Sequence, residues 1–396
     1  MSTLKVGGIR GVSASSDAIT VANDGTCTGN ITNNLSNRNI IINGAMQVAQ
    51  RSGSSTVAVS DGSNEGYQTL DRFKFSFGNS AVGAANISQS TDAPTTLGFT
   101  KSHKTDVTTV NTTASGQQMI QIIYRIEGQD LRSSGWNHLS DSSFLTLSFY
   151  FKTTKTGTSK LPISFRTRHG TNYYYVKNVT VTDPTNWNRY TCKIPGNSNL
   201  QIDDAITAGM DIQFSYYTGP DKDTSSEGTW SSTNAYSTSE STNYFDSTGN
   251  DMFITGVQLE VGEHATDFEH RSYGQELDLC KRYFQQYGID SFGNNTKRLS
   301  LPFINEHPSN VGGYINFRFE KEMRGTPTAT IGSSLELGQP QVDRSSYVVS
   351  SFNNLHAQGS DYFQFSGGQL GSEGDSNRYI RFGHDATAFA KFSAEL

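Results

Sequence analysis

The chain has 396 residues, of which 34% are hydrophobic and 17% charged, and its formal net charge is −6. It offers no basic stripe to neutralise phosphates, which argues against a nucleic-acid partner. It has no apolar run long enough to span a bilayer, so we expect no membrane insertion. The segment MSTLKVGGIRG lacks the apolar run of a signal peptide, and Cys27, Cys192 and Cys280 form neither a metal-spaced cluster nor a disulfide framework. We therefore expect synthesis and folding in a reducing cytoplasm.

The composition predicts a folded, all-β protein. The chain contains 38 glycines, 18 tyrosines and 23 phenylalanines, and Ser, Thr and Asn are abundant. A disordered chain would have few aromatic residues and a high net charge. Aromatic strands joined by polar turns produce this composition. At this length we expect two or three domains.

Residues 1–37 form a leader in which short apolar runs alternate with polar residues. A segment of this kind cannot bury a core by itself. From the residues alone, two interpretations stay open: an attachment arm that orders against copies of itself or another protein, and a flexible leader.

Residues 38–271 carry the pattern of a β-sandwich. Phe73, Phe75 and Phe77 alternate with polar residues, so one face of that strand is predicted to be buried. A further strand is expected at 40–42, before an Asn43-Gly44 turn. Many short antiparallel strands over this length predict a jelly roll or sandwich. The other predicted strands are 118–126, 144–151, 161–166, 173–181, 212–217 and 253–261.

An amphipathic helix is predicted to link this domain, over 272–288, to a second and smaller β domain at 289–396. Ser272 and Gln275 form the pattern of a capping box. Leu277, Cys280, Phe284 and Tyr287 recur at helical spacing and predict an apolar stripe that packs on the sandwich or across a subunit contact. The run 388–396 is expected to be a closing strand.

The long polar loop 218–248 carries the candidate ligand-binding residues. Sugar recognition needs flat aromatic faces together with planar polar groups. Trp230, Tyr236 and Tyr244 lie within the loop, and Tyr217 lies at its base. Most aromatic residues on alternating strands are core residues, but burial of loop aromatics needs a special reason. The aromatic residues of the C-terminal unit are the second place for such a site.

The sequence predicts no enzyme and no cofactor. Glycan hydrolysis needs two carboxylates at a set separation, and nothing in the spacing brings two acids together. The eight histidines are scattered. Clustered oxygens at 61–66, and at Asp221 with Asp223, allow a calcium site, but neither fits the EF-hand spacing. Ordinary polar turns are the favoured interpretation for both, and we expect no catalytic or metal residue.

Several segments resemble tail-fibre and adhesin proteins of tailed bacteriophages that carry a carbohydrate-binding-module-like jelly roll. The leader MSTLKVGGIRG…AITVANDGTCTGNIT is similar to the marine-phage type. Together the segments touch most of the chain. The others are NRNIIINGAMQVAQR at 37–51, Tyr67-x-x-x-Asp71-Arg72-Phe73, ITGVQLEVG at 254–262, DFEHRSYG at 267–274 and EMRGTPT at 322–328.

The resemblance implies a structural virion protein that forms a homotrimer. Residues 1–37 would attach it to the phage tail or another virion component, and its distal part would bind a host cell-surface glycan or protein. The alternatives are a capsid-attached head fibre or decoration protein and, less favoured, a polysaccharide depolymerase.

The charged residues within these motifs are interpreted as scaffold. Buried charges must be paired, so carboxylate–guanidinium contacts at the ends of the sandwich are expected. The residues concerned are Asp71, Arg72, Glu260, Glu269 and Arg271.

Overall fold

The structure is a computed structural model that describes fourteen stretches of the chain. They are residues 6–12, 19–21, 27–29, 38–111, 116–288, 300–302, 304–305, 313–331, 335–338, 347–349, 354–360, 362–366, 379–382 and 389–396.

The described parts of the leader form a small antiparallel sheet of their own. Its strands are β1 (Gly8–Ile9), β2 (Ile19–Val21) and β3 (Cys27–Gly29). β2 lies in the middle and pairs with both neighbours. Each strand is too short to bury a core alone, so pairing within the leader satisfies its backbone groups.

The central domain is a jelly-roll β-sandwich of two antiparallel sheets. The five-stranded sheet has the order β11-β10-β13-β8-β5 and the six-stranded sheet has the order β12-β9-β14-β7-β6-β4. A short helix follows β8. The elements are β4 (Val57–Ser60), β5 (Phe73–Gly78), β6 (Ala84–Ser90), β7 (Ser102–Thr109), β8 (Met119–Glu127), α1 (Gly128–Ser133), β9 (Phe144–Thr153), β10 (Ser159–Thr167), β11 (Tyr174–Val181), β12 (Asn188–Pro195), β13 (Ala208–Thr218) and β14 (Asp251–Val261).

The core lies between the two sheets and follows the alternation in the sequence. Phe75 of β5 and Phe149 of β9 are fully buried, and Phe149 meets Phe214 of β13 edge to face at 5.1 Å between ring centroids. The strand that carries Phe73, Phe75 and Phe77 is confirmed as β5, and the six other predicted strands, from 118–126 to 253–261, are confirmed as β8, β9, β10, β11, β13 and β14. The all-β, jelly-roll fold class is confirmed as well.

The strand predicted at 40–42 is wrong, although the Asn43-Gly44 turn after it is confirmed. Ile40 N donates to Leu259 O at 2.9 Å. The other backbone N–H groups nearby bond to side chains and not to the backbone of a paired strand. Asn39 Oδ1 accepts from Ile41 N and Leu259 N, and Tyr124 Oη accepts from Ile42 N. The three β-branched isoleucines therefore indicate a buried segment, but they do not show that this segment pairs with another strand.

The helix α2 (Tyr273–Lys281) begins with the predicted capping box, in which Ser272 Oγ accepts from Gln275 N at 3.3 Å. Cys280 is buried as predicted. The helix predicted at 272–288 is shorter than expected, because it ends at Lys281. Leu277 lies on it with Cys280, whereas Phe284 and Tyr287 belong to the next strand. No helix in the described part of the chain is long and apolar enough to cross a membrane.

Residues 39–41, which lead into the sandwich, and residues 269–271, which precede α2, contact each other at one end of the sandwich. Arg271 Nη1 donates to Ile41 O at 3.1 Å and pairs with Glu276 at 3.2 Å. Glu269 Oε2 accepts from Asn39 N at 2.7 Å and lies 3.7 Å from Arg271. The scaffold interpretation of these motif charges is confirmed, since each carboxylate here meets a guanidinium.

Glu260 departs from that prediction. Its carboxylate accepts from Gln258 Nε2, Thr266 N and Thr266 Oγ1, at 2.9, 2.9 and 2.6 Å. Its hydrogen bonds are therefore local ones to a neighbouring turn, with neutral donors in place of the expected arginine.

The second, smaller β unit follows α2, and its described strands form three sheets. The orders are β15-β25-β19, β16-β24-β20-β21 and β17-β18-β23-β22. The closing strand predicted at 388–396 is confirmed as β25. The strands are β15 (Phe284–Gly288), β16 (Ser300–Pro302), β17 (Ile304–Asn305), β18 (Gly313–Arg318), β19 (Thr328–Ile331), β20 (Leu335–Gly338), β21 (Tyr347–Val349), β22 (Asn354–Gln358), β23 (Tyr362–Ser366), β24 (Tyr379–Phe382) and β25 (Phe389–Ser393).

The last residues of the chain return to the sandwich. Glu395 forms ion pairs with Arg72 and, at 3.1 Å, with Arg51. Leu396 O accepts from Tyr67 Oη at 3.1 Å and from Arg125 Nη1 at 2.5 Å. The predicted pairing of Arg72 is confirmed, and its partner lies 323 residues away.

Candidate functional site

Trp230 closes the edge of the sandwich. Residues 228–231 continue the five-stranded sheet, because Ser231 and Tyr174 exchange backbone hydrogen bonds of 2.9 and 2.7 Å. The indole turns inward, packs 5.4 Å from the Tyr175 ring and donates through Nε1 to Pro195 O at 2.7 Å. Only 7% of the residue is exposed. The expected open ring is therefore wrong for Trp230, because the loop pairs with a free strand edge and fills the gap behind it.

Tyr217 and Tyr244 are also core residues. A β-bulge between Ser215 and Tyr217 sets Tyr217 opposite the buried Ile120. Tyr244 is fully buried, and its hydroxyl lies 2.9 Å from that of Ser159. Both rings are buried, so the exposure expected of aromatic residues in the loop is not found at Tyr244. A ligand contact for Tyr217 or Tyr244 stays a prediction.

Tyr236 is 4% exposed. Unlike the other three residues, it lies on the side of the five-stranded sheet that faces away from the core. Its ring meets that of Tyr174 edge to face at 5.4 Å, and Tyr236 N donates to Lys222 O at 2.8 Å. Burial raises the pKa of Tyr236, and the neighbouring Tyr174 adds to the shift. A ligand contact for Tyr236 stays a prediction. Most side chains of the C-terminal unit lie outside the described residues.

The outward side of the five-stranded sheet, which we call the polar face, carries three cross-strand rows of side chains. The first row runs Tyr174, Arg166, Asp211, Arg125 across β11, β10, β13 and β8. The second runs Val176, Ser164, Gln213, Ile123, Lys74, and the third runs Ser215, Gln121, Ser76. Neighbours along such a row have Cβ atoms about 5 Å apart, so each row acts as one surface.

Hydrogen bonds fix the base of the polar face. Ser164 Oγ donates to Gln213 Oε1 at 2.7 Å, and Gln121 Nε2 donates to Ser215 Oγ at 2.8 Å. These four residues are each no more than 3% exposed. Buried polar groups must be paired, and here the pairing leaves the amides in fixed orientations.

Basic side chains form the upper layer of the polar face. Arg125 Nε lies 3.2 Å from Asp211 Oδ1, and Arg168 Nη1 lies 3.6 Å from Asp211 Oδ2. Burial raises the pKa of Asp211, and the surrounding arginines oppose that shift. Burial lowers the pKa of Lys74, and the charge of Arg125 lowers it further. Four cations therefore lie around the carboxylate of Asp211, namely Arg125, Arg168, Arg166 and Lys74.

Sequence reasoning missed the polar face, although a signal for it was present. In MDIQFSYY at 210–217 the apolar residues face the core, and Asp211, Gln213 and Ser215 alternate with them. By alternation alone, such polar positions are expected to face solvent. The structure buries all three, and Arg125 and Arg168 pair with Asp211, which single-strand alternation does not reveal.

Neither of the two oxygen clusters that allowed a calcium site gathers a ligand set. Gly62 N donates to Glu65 Oε1 at 3.0 Å within a tight turn, and Asp223 Oδ1 accepts from Ser237 Oγ at 2.6 Å. Among the described residues, no group of three or more His, Cys, Asp or Glu side chains is placed to hold a metal ion. The favoured polar-turn interpretation fits both places.

A separate groove of about 810 Å³ lies beside α1 and α2. Its walls include Arg38, Asp130, Asp278 and Leu279. Charges of both signs and apolar side chains are mixed here, and the groove does not include the rows of the polar face.

Comparison with known proteins gives a fold similarity only. No family model matches the chain, and no curated protein matches it. A bacteriophage CBA120 tailspike protein 4 enzymatically active domain matches over 56% of this chain and 24% of its own length, at 14% identity and a TM-score of 0.27. A putative sugar-binding protein from Bacteroides thetaiotaomicron matches over 57% and 100%, at 10% identity and 0.30.

A tandem CBM22-1–CBM22-2 domain from Paenibacillus barcinonensis Xyn10C matches over 88% of this chain and 100% of its own length, at 9% identity and a TM-score of 0.27. Carbohydrate-binding modules and a phage tailspike domain are thus among the structures that the chain resembles. At these identities and TM-scores they assign it no ligand and no activity.

Proposed function

We propose that the chain is a structural virion protein of a tailed bacteriophage, a tail fibre or adhesin that binds a host cell-surface glycan. The observation that carries the glycan proposal is the polar face of the sandwich. The resemblance of the motifs at 37–51 and 254–274 to phage adhesins supports the virion setting. The leader would attach the protein to the tail, and the protein would be made in the host cytoplasm.

The chemistry of the polar face suits saccharide hydroxyls. Arg125 and Arg166 carry planar guanidinium donors, and the buried Asp211 between them pairs with Arg125 and fixes its position. The hydrogen-bonded amides of Gln121 and Gln213 hold the base rigid, which lowers the entropy lost on binding. A sheet face in fixed rotamers can therefore contact a chain of sugars without rearranging.

The polar face favours binding over cleavage. Asp211 is the one carboxylate among the described residues of its three rows. Retaining and inverting glycosidases use a pair of carboxyl groups about 5–9 Å apart. This count supports an adhesin over a depolymerase, and release of new reducing ends from host envelope polysaccharide would reverse that preference.

Replacing Arg166 by Ala is expected to weaken binding to host envelope glycan by about tenfold, a typical loss for one charge-assisted contact. Binding is measured by biolayer interferometry on immobilised glycan. Lys193→Ala is the matched control, since Lys193 lies half-exposed on the six-stranded sheet. Unchanged binding by Arg166→Ala would exclude the polar face and move the site to the C-terminal unit.

A homotrimer is the assembly that the resemblance implies, and α2 offers exposed apolar area for a subunit contact. Tyr273 is 57% exposed and Leu279 is 37% exposed. Size-exclusion chromatography with light scattering is expected to give three times the monomer mass of 43.3 kDa. Tyr273→Ser combined with Leu279→Ser is expected to lower that mass. A stable wild-type monomer would contradict the trimer.

The second candidate within the virion is a head fibre or decoration protein with the same fold. The two differ in where the leader attaches, so the position of the protein in a particle reconstruction separates them. Density at the tail supports the tail-fibre proposal, and density on the capsid supports the alternative.

A further inference from the structure

We infer that the polar face takes an acidic saccharide, one that carries carboxylate or sulfate groups. This inference rests on the proposed function, because it specifies the class of glycan that the same face binds. Its basis is an excess of unpaired positive charge at the polar face.

Lys74 and Arg166 carry that excess. Among the described residues, neither forms an ion pair with a carboxylate, while Asp211 is shared by Arg125 and Arg168. Six lysines of the sandwich that lie outside the three rows are each paired with a carboxylate. They are Lys104, Lys152, Lys155, Lys160, Lys177 and Lys193. The shortage of carboxylates is therefore a feature of the three rows and not of the domain.

The cations of the polar face also crowd one another. Burial lowers the pKa of Arg168, and the charges of Arg166 and Arg125 lower it further. Arg166 Nε is buried without a hydrogen-bond partner in the described part of the chain. Like charges held together and partly desolvated are stabilised when an anion lies between them. A saccharide with acidic groups supplies that anion, whereas a neutral saccharide does not.

The spacing fits a polymer. Lys74 lies on β5 and Arg166 on β10, with β8 and β13 between them. Three inter-strand steps of about 4.8 Å separate the two backbones by roughly 14 Å. This is longer than one sugar ring, so successive acidic groups of one glycan chain can meet both cations.

The test compares two matched pairs of probes by isothermal titration calorimetry at low ionic strength. One pair is polygalacturonate and its carboxyl-reduced product, which keeps the linkages but loses the charge. The other is dextran sulfate and dextran. We expect each acidic probe to bind at least tenfold more tightly than its neutral form, and the difference to shrink with added salt. The two pairs separate a carboxylate from a sulfate preference.

Variants locate the effect. Lys74→Gln and Arg166→Gln are each expected to weaken binding of the acidic probe by about tenfold, as expected for loss of one charged contact. Lys193→Gln makes the same charge change on the opposite sheet and is expected to alter binding less than twofold. Equal thermal melting of the three variants excludes misfolding as the cause.

Each other outcome decides against the inference in its own way. Equal affinity for the charged and neutral forms overturns the acidic class but leaves glycan binding intact. No binding to any of the four probes overturns the acidic-saccharide inference, and binding to immobilised host envelope glycan then decides the proposed function. An equal loss in all three variants reduces the effect to net charge. Equally tight binding of single-stranded DNA makes the face a general phosphate-binding surface.

Discussion

Replacing Arg72 by Met is expected to lower the free energy of unfolding by about 3–5 kcal/mol, the usual cost of leaving a buried charge without its partner. Arg72 is 1% exposed and Glu395 is 5% exposed. Arg72 Nη2 also donates to Arg125 O at 2.6 Å, and its guanidinium lies 3.4 Å from the centroid of the Tyr283 ring. Burial alone would lower the pKa of Arg72, but the carboxylate of Glu395 raises it well above its usual value.

The backbone at Arg72 sharpens this experiment. Its φ is 72°, in the left-handed region that most side chains avoid. Met keeps that backbone cost and about the same length, so the change in stability reports the lost charge. Urea denaturation followed by tryptophan fluorescence measures it. Lys193→Met is the control, with an expected change within 0.5 kcal/mol because that lysine lies on the surface.

A double variant separates the ion pair from the packing. In Arg72→Met combined with Glu395→Gln, both charges are absent, so the unfolding free energy is expected to recover part of the single-variant loss. Arg51 would still pair with Asp71 at 3.5 Å. A double loss equal to the sum of the two single losses would contradict a coupled pair.

The sequence predicted much of the sandwich because its strands alternate between core and outer positions. Phe73, Phe75 and Phe77 show this most clearly, since the three rings bury on one face as their spacing requires. The predicted pairing of the charged motif residues is confirmed as well, except at Glu260, which bonds neutral donors. The sequence could not give the partner of Arg72, because local patterns carry no information about a residue 323 positions away.

The candidate site was predicted less well, for a related reason. Trp230 and Tyr244 stand in a polar loop, and their neighbours in sequence are hydrophilic. Their neighbours in space are Pro195 and Ser159, from strands that the loop covers. Polar composition predicted an open loop, but tertiary contacts determine which way each ring turns. The residues of the polar face come from five strands, so no single stretch displays them.

Asn43 is the second residue whose replacement is expected to cost several kcal/mol. It is fully buried with φ 62°, and its amide closes the entry turn. Asn43 Nδ2 donates to Val48 O at 2.8 Å and to Asp71 O at 2.9 Å, and Oδ1 accepts from Val48 N at 2.8 Å. Its own N–H donates to Glu276 of α2 at 2.6 Å, so the turn joins the sandwich to the helix.

Asn43→Ala is therefore expected to lower the free energy of unfolding by about 4 kcal/mol. Three lost hydrogen bonds account for about 3 kcal/mol, and a left-handed alanine adds about 1 kcal/mol. Asn43→Gly removes the same three bonds without the backbone cost, so it should lose about 1 kcal/mol less. Urea denaturation of the two variants and the wild type measures both terms. If glycine were as stable as asparagine, the side-chain bonds would contribute nothing and the turn would be held by its backbone alone.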